Sequence, residues 1–192
     1  KTSCMHRLVG RLLRATPTSL HAWALAAGGF PYRSLGLGLN ILFCFSLYSK
    51  IFQTMSRIDS NRAPEPVGAY PHARKAGDFI YYSGMGPRSR GTKEIPGVEL
   101  DAHGNILSYD IETQCRSVFN NLKMVVEESG ASWSDLVDIT VFLTNMKADF
   151  ATYNRVYAEY FAEHQPCRTT LEICSLPTPI AIEVKAIAYV GK

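Results

Sequence analysis

The sequence lacks the residue patterns of several common functional sites. The five cysteines are odd in number and include no Cys-x-x-Cys pair, so neither a zinc site nor a disulfide framework is expected: Cys4, Cys44, Cys115, Cys167 and Cys174. The five histidines show no paired spacing. Ser83 follows two tyrosines rather than the Gly-x of a nucleophile elbow, and no Gly-Lys-Ser/Thr follows Gly84 as in a phosphate-binding loop. We therefore expect neither a metal nor another cofactor.

Acidic residues are absent from the first part of the chain. Residues 1–57 contain seven Lys or Arg and no Asp or Glu, whereas the remainder carries 13 basic and 17 acidic residues. A domain that binds nucleic acid usually carries its basic excess on the folded surface. Because the later part is mildly acidic, we expect no nucleic-acid partner.

A long apolar run is also missing. The stretch from Leu35 to Tyr48 is shorter than the roughly 20 residues that cross a bilayer and is interrupted by glycines and Asn40, so we expect no membrane association. Residues 1–54 have features of a mitochondrial transit peptide and of a signal peptide, but Met55 and the residues after it read like an ordinary cytosolic start. We favour residues 1–54 as a non-domain extension, upstream sequence joined to a protein that starts at Met55, followed by one cytoplasmic domain over 55–192. The alternative is a targeting segment over residues 1–54 with a mitochondrial location.

The clearest periodic element is an amphipathic helix. Seven apolar residues recur at helical spacing and form one stripe: Ile111, Cys115, Val118, Phe119, Leu122, Val125 and Val126. Ser108 and Asp110 are candidate N-caps, and Gly130 is a candidate end. Cys115 is expected to be a small buried hydrophobe. A second helix is predicted over residues 149–164 and is stopped by Pro166.

Alternating residues predict the strands. A turn at Gly77 joins residues 68–76 to the aromatic run 79–84, which indicates a hairpin. Residues 84–109 are predicted to be a long loop with a short strand over 98–100. Further strands are predicted over 136–144, 168–174 and 180–189, with Val137 on the same face as Ile139. This order predicts an α+β fold with both helices on one sheet face and an oligomer interface on the other.

Charged side chains follow the alternation of the last two predicted strands. Arg168 and Thr170 share one face of their strand, and Glu183 and Lys185 share one face of the next. On its own, this pattern indicates a solvated sheet face with cross-strand ion pairs. The register across the intervening turn leaves the separation of Arg168 and Glu183 open.

The chain resembles the reactive-intermediate deaminase (Rid) family, once described as translation inhibitors, from about Asn61 to its C-terminus. The resemblance rests on motifs in the family's order: Ala63-Pro64, Val67-Gly-Ala-Tyr70, Tyr82-Ser-Gly84, Glu127-Glu-Ser-Gly130, Thr140-Val-Phe-Leu143, Phe150-Ala-Thr-Tyr-Asn154 with Tyr157, Arg168-Thr-Thr-Leu-Glu172, Leu176-Pro177 and Ile182-Glu-Val-Lys-Ala-Ile-Ala188. It implies a chorismate-mutase-like mixed sheet with two helices on one face, and a homotrimer with active sites between subunits.

The resemblance also assigns roles to residues. Arg168 matches the arginine that binds the substrate carboxylate, and a planar guanidinium suits that role because it can bind both oxygens. Glu183 matches the glutamate that positions the attacking water, and Tyr70, Ser83 and Asn154 match positions that line the cleft. Where many members have cysteine, this chain has Thr170, which can only hydrogen-bond to the substrate.

Within that family, residues 86–101 and 143–150 resemble those of the 2-aminomuconate deaminases. The resemblance implies hydrolysis of 2-aminomuconate to 4-oxalocrotonate and ammonia, without cofactor, in the degradation of tryptophan or aromatic amines. A general 2-iminoacid deaminase is the alternative enzyme. The remaining alternatives are an RNA-binding protein or ribonuclease, and a non-catalytic trimer that binds small carboxylates or acts as a chaperone.

Overall fold

The structure, a computed structural model, describes residues 55–191. The predictions for residues 1–54 lie outside these residues. The elements in chain order are β1 (Ser56–Ile58), β2 (Ala73–Ala76), β3 (Phe79–Met85), β4 (Val98–Leu100), β5 (Ile106–Tyr109), α1 (Ile111–Glu128), a short 3-10 turn (Trp133–Asp135), β6 (Leu136–Leu143), α2 (Met146–Phe161), β7 (Cys167–Glu172) and β8 (Ile182–Tyr189). Over this range, no helix combines the length and apolar character that a membrane crossing needs.

Six strands form one mixed sheet in the order β1-β2-β3-β8-β6-β7. Neighbours are antiparallel except β6 and β7, which are parallel because α2 provides the crossover between them. The predicted α+β class with a mixed sheet and two helices is confirmed. The last two strands in the sequence, however, are not neighbours, because β6 lies between β7 and β8.

Helix α1 begins and ends near the predicted signals. The Asp110 carboxylate accepts hydrogen bonds from the backbone N–H groups of Glu112 and Thr113, which satisfies two donors of the first turn. The Ser108 hydroxyl instead donates to the Glu99 carboxylate, so Ser108 as a cap was wrong. Gly130 follows the helix with a φ of 80°, a conformation that favours glycine.

The core lies between the two helices and one face of the sheet. All seven apolar residues of the predicted α1 stripe are buried, and Cys115 is fully buried among them. Burial raises the pKa of the Cys115 thiol to about 12, so this thiol stays protonated. Val137 was predicted to lie on the same face as Ile139, which is buried in the core, but Val137 is 40% exposed. A register irregularity between Leu136 and Asp138 turns Leu136 inward in its place.

Residues 84–109 contain more structure than the predicted loop. The expected short strand is present as β4, but it pairs with β5 in a separate two-stranded sheet. Strand β5 was missed because it is only four residues long and three of them are exposed, so it shows no burial alternation. The Asp101 carboxylate closes the turn between β4 and β5 by accepting hydrogen bonds from the backbone N–H groups of His103 and Asn105.

Candidate functional site

A β-bulge in β3 forms one wall of the candidate site. Tyr82 pairs with Ala186 and Met85 with Val184, so β3 has one more residue than β8 over this stretch. The extra residue keeps both Tyr82 and Met85 buried, although an odd spacing in a regular strand would put them on opposite faces. Ser83 and the glycine after it lie in the bulge and border a cavity.

Glu183 of β8 faces the same cavity, directly beside Gly84. A Cβ atom placed on Gly84 would lie 2.2 Å from Glu183 Oε1, a separation that real Cβ atoms do not show. Glycine is therefore required here for the Glu183 carboxylate to keep its position. Burial raises the pKa of Glu183 above its usual range, while the nearby positive charge of Arg88 opposes that shift. None of the described residues donates a hydrogen bond to this carboxylate.

The cavity has a volume of about 540 Å³, within the range of small-molecule sites. Three basic side chains border it, contributed by Arg74 of β2, Arg88 and Lys185 of β8, against one carboxylate, that of Glu183. Because the basic groups outnumber the acidic one, the cavity favours an anionic ligand.

Two of the residues predicted to line a cleft border this cavity. The Ser83 hydroxyl donates to the Pro71 carbonyl at 2.7 Å, so its lone pairs remain free to accept from a ligand. The hydroxyl of Tyr70, a residue that is 38% exposed, accepts a hydrogen bond from the Val67 backbone N–H at 3.3 Å. The Tyr70 proton therefore remains available to a ligand.

The other predicted site residues form a second cluster, around Arg168 of β7. Arg168 Nη1 donates to Asn154 Oδ1 at 2.8 Å, and its Cζ lies 4.7 Å from the ring centre of Tyr157. The Thr170 hydroxyl lies 3.3 Å from the Tyr153 hydroxyl. The cation–π contact and the hydrogen bond to α2 orient the guanidinium, which has five N–H donors and can bind an anion through those that the fold does not use.

The structure does not bring these two clusters together in one chain. Glu183 pairs with Phe142 of β6, and Phe142 pairs in turn with Leu171 of β7, so these three residues share one sheet face. Arg168 pairs with the buried Ile139 and therefore points to the helix-bearing face. The alternation predicted for each strand is correct, but the two polar faces lie on opposite sides of the sheet.

Gly84, Arg74 and Arg88 are among the cavity residues that were not predicted as site residues. Gly84 carries a recognisable signal, since a glycine inside a strand pattern indicates a bulge or a close approach. Arg74 lies on the same sheet face as Glu183 through its pairing with Tyr81 and could have been assigned with the register known. Arg88 lies in the irregular segment after β3, where no periodicity predicts side-chain direction.

Comparison with known proteins gives concordant results. The family described as endoribonuclease L-PSP matches residues 60–190. A RutC family protein of Pyrococcus abyssi is 40% identical over 132 residues, which cover 69% of this chain and 94% of that protein. An Escherichia coli protein whose name includes reactive intermediate deaminase TdcF is 34% identical over 134 residues, which cover 68% of this chain and 94% of that protein.

Solved structures match the same part of the chain. The crystal structure of E. coli TdcF with bound serine has a TM-score of 0.61 at 33% identity and covers 71% of this chain and 99% of its own. The crystal structure of yeast Mmf1 has a TM-score of 0.62 at 32% identity and covers 72% of this chain and 100% of its own. The name of Mmf1 of Saccharomyces cerevisiae describes it as mitochondrial.

Proposed function

The chain belongs to the endoribonuclease L-PSP family, and from that membership and the geometry around Glu183 we propose that it hydrolytically deaminates small imine or enamine acids. The observation that carries the proposal is the partly buried Glu183 carboxylate, which faces the cavity with a raised pKa and no hydrogen-bond donor among the described residues. A raised pKa brings a carboxylate closer to the strength of a useful general base. One relative carries the name reactive intermediate deaminase, and its structure holds serine, a small amino acid.

The proposed reaction needs one group that moves protons. Glu183 takes a proton from water as the hydroxide oxygen bonds to the imine carbon, and it returns that proton to the nitrogen. Glu183 then takes the proton of the new hydroxyl and passes it to the amine as the carbon–nitrogen bond breaks. The products are a carbonyl compound and ammonia, and Glu183 ends as the carboxylate. An enamine first gains a proton on carbon from water and returns one from nitrogen, which converts it to the imine without net change.

Substrate binding in this proposal requires more than one copy of the chain. Arg168, Asn154 and Thr170 lie on the helix-bearing face, whereas Tyr70, Ser83 and Glu183 border the cavity. We therefore propose that the arginine that binds the substrate carboxylate in one cavity is Arg168 of a neighbouring copy. Partly exposed apolar side chains on the helix-free face support such an assembly, among them Phe79, Tyr81, Leu171 and Tyr189. We propose the homotrimer that the family resemblance implies, to be measured by multi-angle light scattering.

For the finer specificity we propose 2-aminomuconate, converted to 4-oxalocrotonate and ammonia, with general 2-iminoacids as the alternative. The support is the resemblance of the segment between β3 and α1 and the excess of basic side chains around the cavity.

We propose the cytoplasm as the compartment, with the mitochondrion as the alternative because the yeast relative carries that description. Fractionation of cells from the source organism would decide between them.

The test is a substrate panel of freshly generated 2-aminomuconate, 2-iminobutyrate and 2-iminopropionate, with ammonia release as the measurement. We expect Glu183→Gln to lose activity by roughly 100-fold or more, since general bases contribute at least this much. Glu163→Gln, at an exposed glutamate on the protein surface, serves as the control and should retain activity. A fully active Glu183→Gln variant, or RNA cleavage without hydrolysis of any of the three compounds, would contradict the proposal.

A further inference from the structure

Arg88 is set into the cavity wall by contacts that are independent of the chemistry at Glu183. The Asn121 side-chain amide of α1 donates to the carbonyl oxygens of both Gly86 and Arg88, each at 2.9 Å. The Ser117 hydroxyl of the same helix donates to the Pro87 carbonyl at 3.1 Å. Helix α1 thus holds the backbone of residues 86–88, so the point from which the Arg88 side chain extends is fixed although it lies outside regular structure.

The Arg88 guanidinium has binding capacity that the fold does not use. Its Nη2 donates to the Glu65 carbonyl oxygen at 2.6 Å, and a guanidinium has five N–H donors in total. Over residues 55–191, no carboxylate lies within ion-pair distance of Arg88. The carboxylate of Glu183 borders the same cavity but forms no direct ion pair with Arg88, so this half-buried cation can bind an anionic group of a ligand.

Arg90, two residues later in the chain, differs from Arg88 because it has an ion-pair partner. Its guanidinium donates to the Ala63 carbonyl at 2.6 Å and forms an ion pair with the Glu65 carboxylate at 3.1 Å. Arg90 does not border the cavity. The positive charge of Arg90 is therefore paired with the Glu65 carboxylate, whereas the charge of Arg88 faces the cavity.

We propose that Arg88 is a specificity-determining residue that binds a second carboxylate, at the end of the substrate away from the reacting carbon. This inference deepens the proposed function and rests on it: the substrate class is then the dicarboxylic imines and enamines. Arg168 of a neighbouring copy binds the carboxylate next to the reacting carbon, and Glu183 activates water. Arg88 binds the distal carboxylate. A monocarboxylic imine leaves Arg88 without a partner.

The test compares two imines that differ in the distal carboxylate, 2-iminoglutarate and 2-iminobutyrate, each generated in the assay by an amino acid oxidase. We expect Arg88→Gln to reduce the preference for 2-iminoglutarate, measured as the ratio of kcat/KM values, by roughly 10- to 100-fold, the range for one hydrogen-bonded charge. The assay is run on the pH plateau because loss of Arg88 also raises the pKa of Glu183. Arg90→Gln is the matched control and should leave the ratio unchanged.

Binding of unreactive ligands separates this inference from the proposed function. By isothermal titration calorimetry, we expect Arg88→Gln to weaken binding of 2-oxoglutarate by the same factor and binding of 2-oxobutyrate by less than about threefold. If neither imine is hydrolysed but the binding ratio changes as expected, the proposed function fails and the second carboxylate site stands. An unchanged ratio in both assays, or a change that follows Lys185→Gln instead, would overturn the inference.

Discussion

Replacing Gly84 with alanine tests whether the position of the Glu183 carboxylate determines activity. The added Cβ would lie 2.2 Å from Glu183 Oε1 and 2.9 Å from its Cδ, so the carboxylate must retreat by roughly 1 Å to reach an ordinary contact distance. A displacement of this size can cost on the order of 100-fold in rate. We therefore expect kcat/KM for 2-iminobutyrate to fall roughly 100-fold in Gly84→Ala.

The folded structure itself should tolerate this substitution. Gly84 is exposed, and its φ lies outside the range that favours glycine, so alanine adds no backbone strain. Gly104→Ala is the opposite control, because Gly104 has a φ of 85° and nothing within 4 Å of an added Cβ. We expect Gly104→Ala to lower the melting temperature while activity is retained, and Gly84→Ala to show the reverse.

A double-mutant cycle decides whether the loss acts through Glu183. When a catalytic group is already absent, displacing it further has little effect, so Gly84→Ala should cause little additional loss in a Glu183→Gln background. Equal losses in the two backgrounds would refute the reasoning, because Gly84 would then act through some other contact. Full activity of the single variant would refute it as well.

Three further predictions concern the framework around the site. Asn121→Ala should lower the free energy of unfolding by about 1–3 kcal/mol in urea denaturation, because two backbone carbonyls lose their donor. The control is Asn120→Ala, at the exposed neighbouring residue, which should change the free energy of unfolding by less than about 0.5 kcal/mol. Burial raises the pKa of the Asp149 carboxyl, so the folded state takes up a proton before the unfolded chain as pH falls. Asp149→Asn, whose amide oxygen can still accept from Tyr109, should therefore be at least as stable as the parent at pH 7, and urea denaturation at a series of lower pH values should show this advantage shrinking. Cys115, with its pKa of about 12, should be alkylated by iodoacetamide only in denaturant, as peptide mass spectrometry would show, and native-state alkylation would contradict its burial.

Most of the secondary structure followed from local patterns in the sequence. The apolar stripe of α1 is wide and regular, and its Asp110 cap uses only contacts within one turn. The spacing of apolar residues and the residue types were therefore sufficient to predict this helix and its start. Gly77 marked the β2–β3 hairpin for the same reason. The prediction failed where a local irregularity overrides the period, as at Val137, or where an element is short and exposed, as in β5.

The site depended on pairing, which the sequence does not encode locally. Alternation correctly predicted which side chains share a face within β7 and within β8. The family resemblance indicated Arg168 and Glu183 as site residues. Only the sheet order decided that β6 lies between these strands, so that the two charged side chains point to opposite faces and one chain cannot bring them together. Likewise, only the tertiary structure placed Arg88 beside the cavity, because the backbone of its segment is held by hydrogen bonds from a helix about thirty residues away in the sequence.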